Sequence, residues 1–432
     1  MVDVIGIHDP IQLVLTVGLL GSLWYYLTSY FGTRAFFRQA AARQSHAEGT
    51  SLPSVTILKP LKGLDIDLYD NLLSFCRQDY PTFQIIFGVA DADDPAVPVV
   101  RRLQAAYPRV PIDLVIDGRI CGTNYKISNL HNMYRAAKHE VIVIADSDIR
   151  VGSDYLRRIV EPLSDPKVGV VTCLYRAVSS GGLPTLIESL FINTDFAPSI
   201  LVARLVETRR YAFGATIALR RSVLNEIGGF LPLANYLADD YYLGNRVAGC
   251  GYEVVLSDLV VETVLAVGSW KRLFDHQLRW ARTYRNSRPA SYFATVFTQG
   301  TLWATLNLLY NFGDGRAALV TALMYGLRIL TASAIANRYL GAPIRLHEAL
   351  LVPPKDLFLS AVWALAFVGD NVHWSGHEFH VSKNGEMLLV SPASPSQTPA
   401  LTYSTSVASD HDPSVVSLRS SSASSTRPSL RA

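Results

Sequence analysis

Residues 11–31, IQLVLTVGLLGSLWYYLTSYF, run for 21 positions without a charge. About 20 apolar residues span the hydrocarbon core of a bilayer as a helix, and a lone segment in lipid has no other way to satisfy its backbone. The run is too long for a signal-peptide core, and no small-residue cleavage site follows it. Trp24, Tyr25, Tyr26 and Tyr30 supply an interfacial belt at one end. Arg34, Arg38 and Arg43 follow the run, whereas Asp3 and Asp9 precede it. The positive-inside rule therefore places everything after residue 34 in the cytoplasm. The other reading of such a run is a helix buried in a protein core.

Composition supports further membrane segments. The 432-residue chain is 49% hydrophobic and 17% charged, where a soluble domain carries about 25% charged residues. A net charge of +3 offers no case for nucleic acid as a partner. Cys76, Cys121, Cys173 and Cys250 are far apart, with no CxxC pair. They form neither a metal knuckle nor a disulfide framework, and they suit a reducing compartment.

From residue 52 to 290 the pattern is that of a soluble α/β domain. Short apolar runs at 55–61, 84–90, 112–117, 140–145, 168–175, 215–220 and 251–258 read as strands. Amphipathic stretches at 68–78, 95–107, 125–138 and 153–163 read as helices. The alternation predicts βαβ units and a largely parallel sheet.

After Pro289 the character changes. Residues 291–312 carry no charge, 317–336 are apolar apart from Arg328, and 356–369 reach span length if 347–354 continue the element. Across 291–370 these read as two or three membrane helices around Arg328. An ionisable residue at that depth is a functional candidate; pairing within the bundle is the other reading. Residues 371–390 read as a short, turn-rich cytoplasmic segment. Residues 391–432 are rich in Ser, Thr, Pro and Ala with almost no aromatics, a composition that predicts disorder.

The candidate chemistry gathers where strands end. In an open parallel sheet, ligands bind beyond the carboxyl ends of the strands. Asp146 and Asp148 close the run 140–145, and such a pair can hold a divalent cation against substrate phosphates. A turn or capping role is the alternative. Asp91 is the first residue past another strand, in VADADDP, where Asp93 or Asp94 fits a helix cap better. Asp239 and Asp240 open a predicted helix, either as charges that suit its dipole or with one of them as a general base. In FDHQLRWARTYR (274–285), a helix puts His276, Arg279, Trp280 and Thr283 on one face. Arg279 can grip a diphosphate, and Trp280 offers a plane for a sugar or lipid. A basic aromatic helix there also reads as plainly interfacial.

The ordered set LKPLKG, Asp91, GTNYKISNL, DSDIR, ADDY and HQLRW resembles the ceramide glucosyltransferase family of membrane glycosyltransferases. Within it, SFCRQDYPTFQIIFGVADADDP, DSDIRVGSDYLRRIV and RWARTYR are most similar to the bacterial hopanoid biosynthesis-associated branch. The resemblance implies a nucleotide-diphospho-sugar transferase domain of the GT-A type at 52–290, a transmembrane anchor at 1–33 and C-terminal membrane helices. It implies Asp91 on the nucleotide, Lys126 near the diphosphate, Asp146 and Asp148 as the pair for Mg2+ or Mn2+, Asp240 as the base, and Arg279 and Trp280 in a (Q/R)xxRW motif. His276 stands where that motif has Gln or Arg, and Asp239 replaces the usual Glu before the base.

The expected partners are a UDP-sugar and a membrane lipid, with N-acetylglucosamine and a hopanoid polyol favoured over glucose and ceramide. One displacement would invert the α-donor to a β-product at the cytoplasmic face, in a multi-pass protein of the bacterial inner membrane. The competing readings are a processive polysaccharide synthase, a metal-dependent phosphotransferase and a non-catalytic membrane scaffold.

Overall fold

The computed structural model describes residues 9–44, 52–179, 181–206 and 211–391. The expected disorder of 391–432 falls, but for residue 391, outside the described residues, as does Asp3. Eight strands form one sheet: β1 (Val55–Pro60), β2 (Phe83–Val89), β3 (Ile112–Ile116), β4 (Val141–Ala145), β5 (Ile149–Arg150), β6 (Val168–Ser179), β7 (Thr216–Arg220) and β8 (Glu253–Leu265). Their spatial order is β3-β2-β1-β4-β7-β6-β8-β5. β3, β2, β1 and β4 are mutually parallel, as are β6 and β8, while β7 and β5 run against their neighbours. The seven apolar runs of the sequence are all strands, and the sheet is the expected α/β type.

The cause is burial on both faces. Val141, Ile142, Val143, Ile144 and Ala145 are at most 3% exposed, and each such aliphatic side chain contributes about 1.5–3 kcal/mol by leaving water. Helices Leu68–Cys76, Ala96–Ala106 and Tyr125–Tyr134 connect the parallel strands, close to their expected positions.

The apolar regions depart further from the linear reading. The N-terminal helix runs Pro10–Gln44. The stretch 291–312 is not one helix: Pro289–Ala294, a 3-10 turn Thr295–Thr298 and Gly300–Tyr310 share it. Two features break it. Thr295 and Thr298 turn their hydroxyls back onto the carbonyls of Tyr292 and Thr295. Gly300 lies so close to Tyr26 and Ser22 of the N-terminal helix that a side chain there would collide. An 11-residue helix is about 16 Å long, short of the roughly 30 Å hydrocarbon core. Among the described residues three helices are long and apolar enough to cross a membrane: Pro10–Ala42, Leu183–Val206 and Gly315–Leu340. The second connects β6 to β7 and was not foreseen as a helix; it carries a π turn at Ile192–Phe196.

Arg328 is paired within the helical region. Its guanidinium reaches Asp356 at 2.9 and 3.1 Å, Asp195 at 2.7 Å and the Thr194 carbonyl at 3.1 Å. Lys355 bonds Asp356 at 2.7 Å and also pairs with Asp195. Thr301 donates to Asp356 at 2.7 Å, and Arg328 stacks over the Tyr26 ring.

The last described elements form an antiparallel sheet of β9 (Asn371–Trp374), β10 (His377–Val381) and β11 (Met387–Ser391). Ser375 and Gly376, both at positive φ (52° and 87°), make the two-residue turn that a right-twisted hairpin favours.

Candidate active site

β1, β2 and β4 deliver their carboxyl ends to one edge of the sheet, and the sheet reverses direction beside β4. Ala145 pairs with Thr216 across antiparallel β7, and the Asp146 N–H donates to the Ala215 carbonyl at 3.3 Å. This places the Asp-Ser-Asp loop against the start of β7. Asp148 is fixed from β8, whose Thr263 hydroxyl donates to it at 2.6 Å, while the Val264 N–H reaches its carbonyl at 3.0 Å.

Lys126, on the first turn of helix Tyr125–Tyr134, pairs with Asp146 at 2.6 Å and with Asp239 at 3.7 Å. Asn124 caps that helix by accepting the Ile127 N–H, and its amide donates to the Tyr236 carbonyl at 2.8 Å and to Asp239 at 3.4 Å. Asp239 and Asp240 begin helix Asp239–Gly249. A side chain at Gly214 would sit 3.2 Å from the Asp240 carboxylate and 3.7 Å from the Lys126 ammonium. The structure therefore brings Lys126, Asp146, Asp148, Asp239 and Asp240 together.

Electrostatics at this edge are strained. Burial, then the neighbouring Asp239 charge, pushes Asp240 up to about 6. Burial, then Asp146, likewise lifts Asp148 to about 6. Burial raises Asp239 as well, with Lys126 opposing. For Lys126 burial works against the charged form, but the carboxylates of Asp146 and Asp239 outweigh it and raise its pKa.

Asp91 lies apart from this group. It is exposed in the turn after β2, where its carboxylate accepts the Asp93 N–H at 3.0 Å. Asp94 accepts the Ala96 N–H at 2.8 Å and so caps the next helix. Arg279 and Trp280 are on helix Trp270–Ser287, which Ser269 caps. Among the described residues the Arg279 guanidinium makes no hydrogen bond or ion pair, and burial pulls its pKa down to about 10. Trp280 packs on Phe191, Phe196 and His276, with ring centroids 5.8, 5.9 and 5.1 Å away.

Sequence reasoning missed five groups. Lys59, fully buried in β1, donates to the Asp146 carbonyl at 2.7 Å and lies over the Phe75 ring. Asp65 accepts from Ser147 between the two aspartates. Thr263 orients Asp148. Tyr175 feels the charges of Asp240, Asp148, Asp146 and Glu188 together. Glu188, wholly unexposed, bonds His276. A lysine inside a strand and a glutamate inside an apolar helix were the available signals.

The Asp146/Asp148 pair fits a divalent cation on its own chemistry. Both donors are carboxylate oxygens, and the two charges oppose each other in a half-buried loop. Among the described residues no three His, Cys, Asp or Glu side chains are grouped to hold a metal ion. Such an ion would share its shell with substrate oxygens, as Mg2+ commonly does.

A four-stranded parallel half-sheet, carboxylates at its carboxyl edge and a helix of membrane length define a membrane-associated glycosyltransferase. The chain belongs to glycosyl transferase family 21, whose family model matches residues 14–387. Ceramide glucosyltransferase 3 of Caenorhabditis elegans is 26% identical over 349 residues, covering 79% of this chain and 75% of that protein. Ceramide glucosyltransferase 1 of the same organism is 30% identical over 208 residues, 48% of this chain and 44% of that one. Among solved structures, the mannosyltransferase PcManGT from Pyrobaculum calidifontis, in complex with GDP-Man and Mn2+, aligns over 82% of this chain and 99% of its own with 18% identity and a TM-score of 0.45.

Proposed function

We propose that this chain transfers glucose from UDP-glucose to the hydroxyl of ceramide, by one inverting displacement at the cytoplasmic face of a membrane. The observation that carries the reaction type is Asp240, a carboxylate lifted to about 6 beside Lys126 and the Asp146 loop. A base that must be ionised near neutral pH and still accept a proton is best poised close to that range. The ceramide glucosyltransferases similar to this chain favour glucose and ceramide over N-acetylglucosamine and a hopanoid polyol. Arg34 and Arg38, on the far side of the apolar run in the N-terminal helix, support a cytoplasmic domain.

In this mechanism Asp91 meets the nucleotide beyond β2. Asp146 and Asp148 would hold Mg2+ or Mn2+, whose chemistry there is charge compensation at a departing diphosphate. Lys126 and Arg279 add fixed positive charge on the same group. Asp240 takes the proton from the acceptor hydroxyl, which attacks the anomeric carbon from the face opposite the diphosphate. Trp280 offers an apolar plane to the sugar or the lipid.

The test is a mass-spectrometric transfer assay in membranes that contain the chain, with UDP-glucose or UDP-N-acetylglucosamine against ceramide or a hopanoid polyol. β-Glucosylceramide, lost on adding EDTA and restored by Mg2+ or Mn2+, is the expected product. N-Acetylglucosaminyl hopanoid would overturn the substrate pair and keep the mechanism. An Asp240→Asn chain that stayed active would remove the base assignment.

A further inference from the structure

Glu188 is a carboxylate where the fold gives little reason for one. It sits on helix Leu183–Phe191, in a segment apolar enough to cross a membrane, and its side chain has no exposure. Burying an ionised carboxylate is costly unless it is paired and hydrogen-bonded. One of its oxygens is bonded to His276 Nδ1, and the other, Oε2, is buried without a partner. Gln277, next to His276 and 3% exposed, likewise buries an amide nitrogen without a partner.

Where Glu188 is the acceptor, His276 presents Nδ1–H to it, and that bond orients the ring. Nε2 is then the remaining ring nitrogen, and among the described residues nothing bonds it. The His276 side chain is 30% exposed. Its ring abuts Trp280, which packs on Phe196, and Phe196 lies 4.4 Å from the Tyr175 ring. His276 thus lies one turn before Arg279 and Trp280 on the same helix, with its second ring nitrogen on a partly exposed face.

We propose that His276 and Glu188 form an acceptor subsite for a lipid alcohol that carries a hydrogen-bond donor on the carbon next to the reacting hydroxyl. His276 makes the contact and Glu188 is the positioning residue behind it. The inference rests on the transferase reading above.

The test uses the full chain in membranes with UDP-glucose and three acceptors: ceramide, a lipid 1,2-diol, and a long-chain primary alcohol with no second polar group. The ratio of kcat/KM values should favour the first two by about 10- to 100-fold, the range for a hydrogen bond lost to a charged or buried partner. Glu188→Gln and His276→Leu should bring that ratio close to one through KM, and His276→Gln should retain part of it. UDP binding checks that each variant is folded; if Glu188→Gln is not, His276→Leu decides. An unchanged ratio, or an equal loss on all three acceptors, would overturn the subsite while leaving the transferase intact. Preference for only one donor-bearing acceptor would identify whether amide or hydroxyl is read. Wild-type protein that transfers glucose to none of the three would overturn the subsite and the glucose–ceramide pair, and the UDP-N-acetylglucosamine and hopanoid arms of the assay above decide whether the transferase reading stands.

Discussion

Around Arg328 two cations, Arg328 and Lys355, meet two carboxylates, Asp195 and Asp356, and every one of these groups is hydrogen-bonded. At the carboxyl edge of the sheet, Asp65, Asp146, Asp148, Asp239 and Asp240 share the ammonium groups of Lys59 and Lys126. Lys59, Arg328 and Lys355 are buried and the carboxylates around them half-buried, yet one cluster is closed and the other is left acidic. The closed cluster ties the π turn Ile192–Phe196 to helices Gly300–Tyr310, Gly315–Ile335 and Val352–Leu365. It needs no further partner. The acidic cluster has surplus charge that a cation and the proton of a substrate hydroxyl would relieve. Charge balance, more than burial, distinguishes the two clusters.

Breaking the closed cluster should have the largest effect. Arg328→Ala leaves two carboxylates without their main partner, and removing one member of a buried ion network costs about 3–5 kcal/mol. Thermal unfolding in detergent should show that loss, with activity per folded molecule largely kept. If Arg328→Ala instead abolished turnover in fully folded protein, the division drawn above would fail.

The acidic cluster should respond in the opposite sense. Asp240→Asn should lower kcat by about 10²- to 10⁴-fold. A carboxyl whose pKa is raised on folding favours the folded state when protonated. That contribution is full below the ordinary carboxylate range and is lost as pH rises through about 6. At pH 7.5 the Asn variant no longer carries this cost and should be more stable by up to about 3 kcal/mol. Loss of both activity and stability would mean that Asp240 is held as firmly as Asp356.

The smallest effect is a pH profile. With Asp240 near 6, kcat/KM in wild-type membranes should rise about tenfold per pH unit below that value and level off above it. A profile flat from pH 5 to 8 would separate the base from Asp240.

Much of the sheet was legible because its strands are apolar on both faces and short, so runs such as EVIVIA stand out from the helices between them. The gathering of Asp146, Asp148 and Asp240 was legible because they close a strand and open a helix at the carboxyl edge of the sheet. Glu188, Tyr175 and Thr263 were not, since each reaches the site through a pairing between distant elements that no local pattern encodes. The same limit hid the break in 291–312. Its composition suits a single span, but Gly300 gives way to Tyr26 of a helix nearly 300 positions earlier, and only packing reveals that. Arg328 was visible as an oddity in an apolar run, while its partners came from three other elements.

The strand β11 has a further bearing on the order in which the protein is made. Its first residue closes the loops beside the base: the Met387 N–H donates to the Asn235 carbonyl at 2.8 Å, and Thr123 donates to the Met387 carbonyl at 3.1 Å. Asn235 and Thr123 flank Tyr236 and Asn124, and the Asn124 amide donates both to the Tyr236 carbonyl and to Asp239. A ribosome that has finished the eight-stranded sheet has therefore not yet supplied the stitch that fixes its catalytic loop. That stitch follows, in chain order, every described helix long and apolar enough to cross a membrane, so this edge of the sheet is completed last.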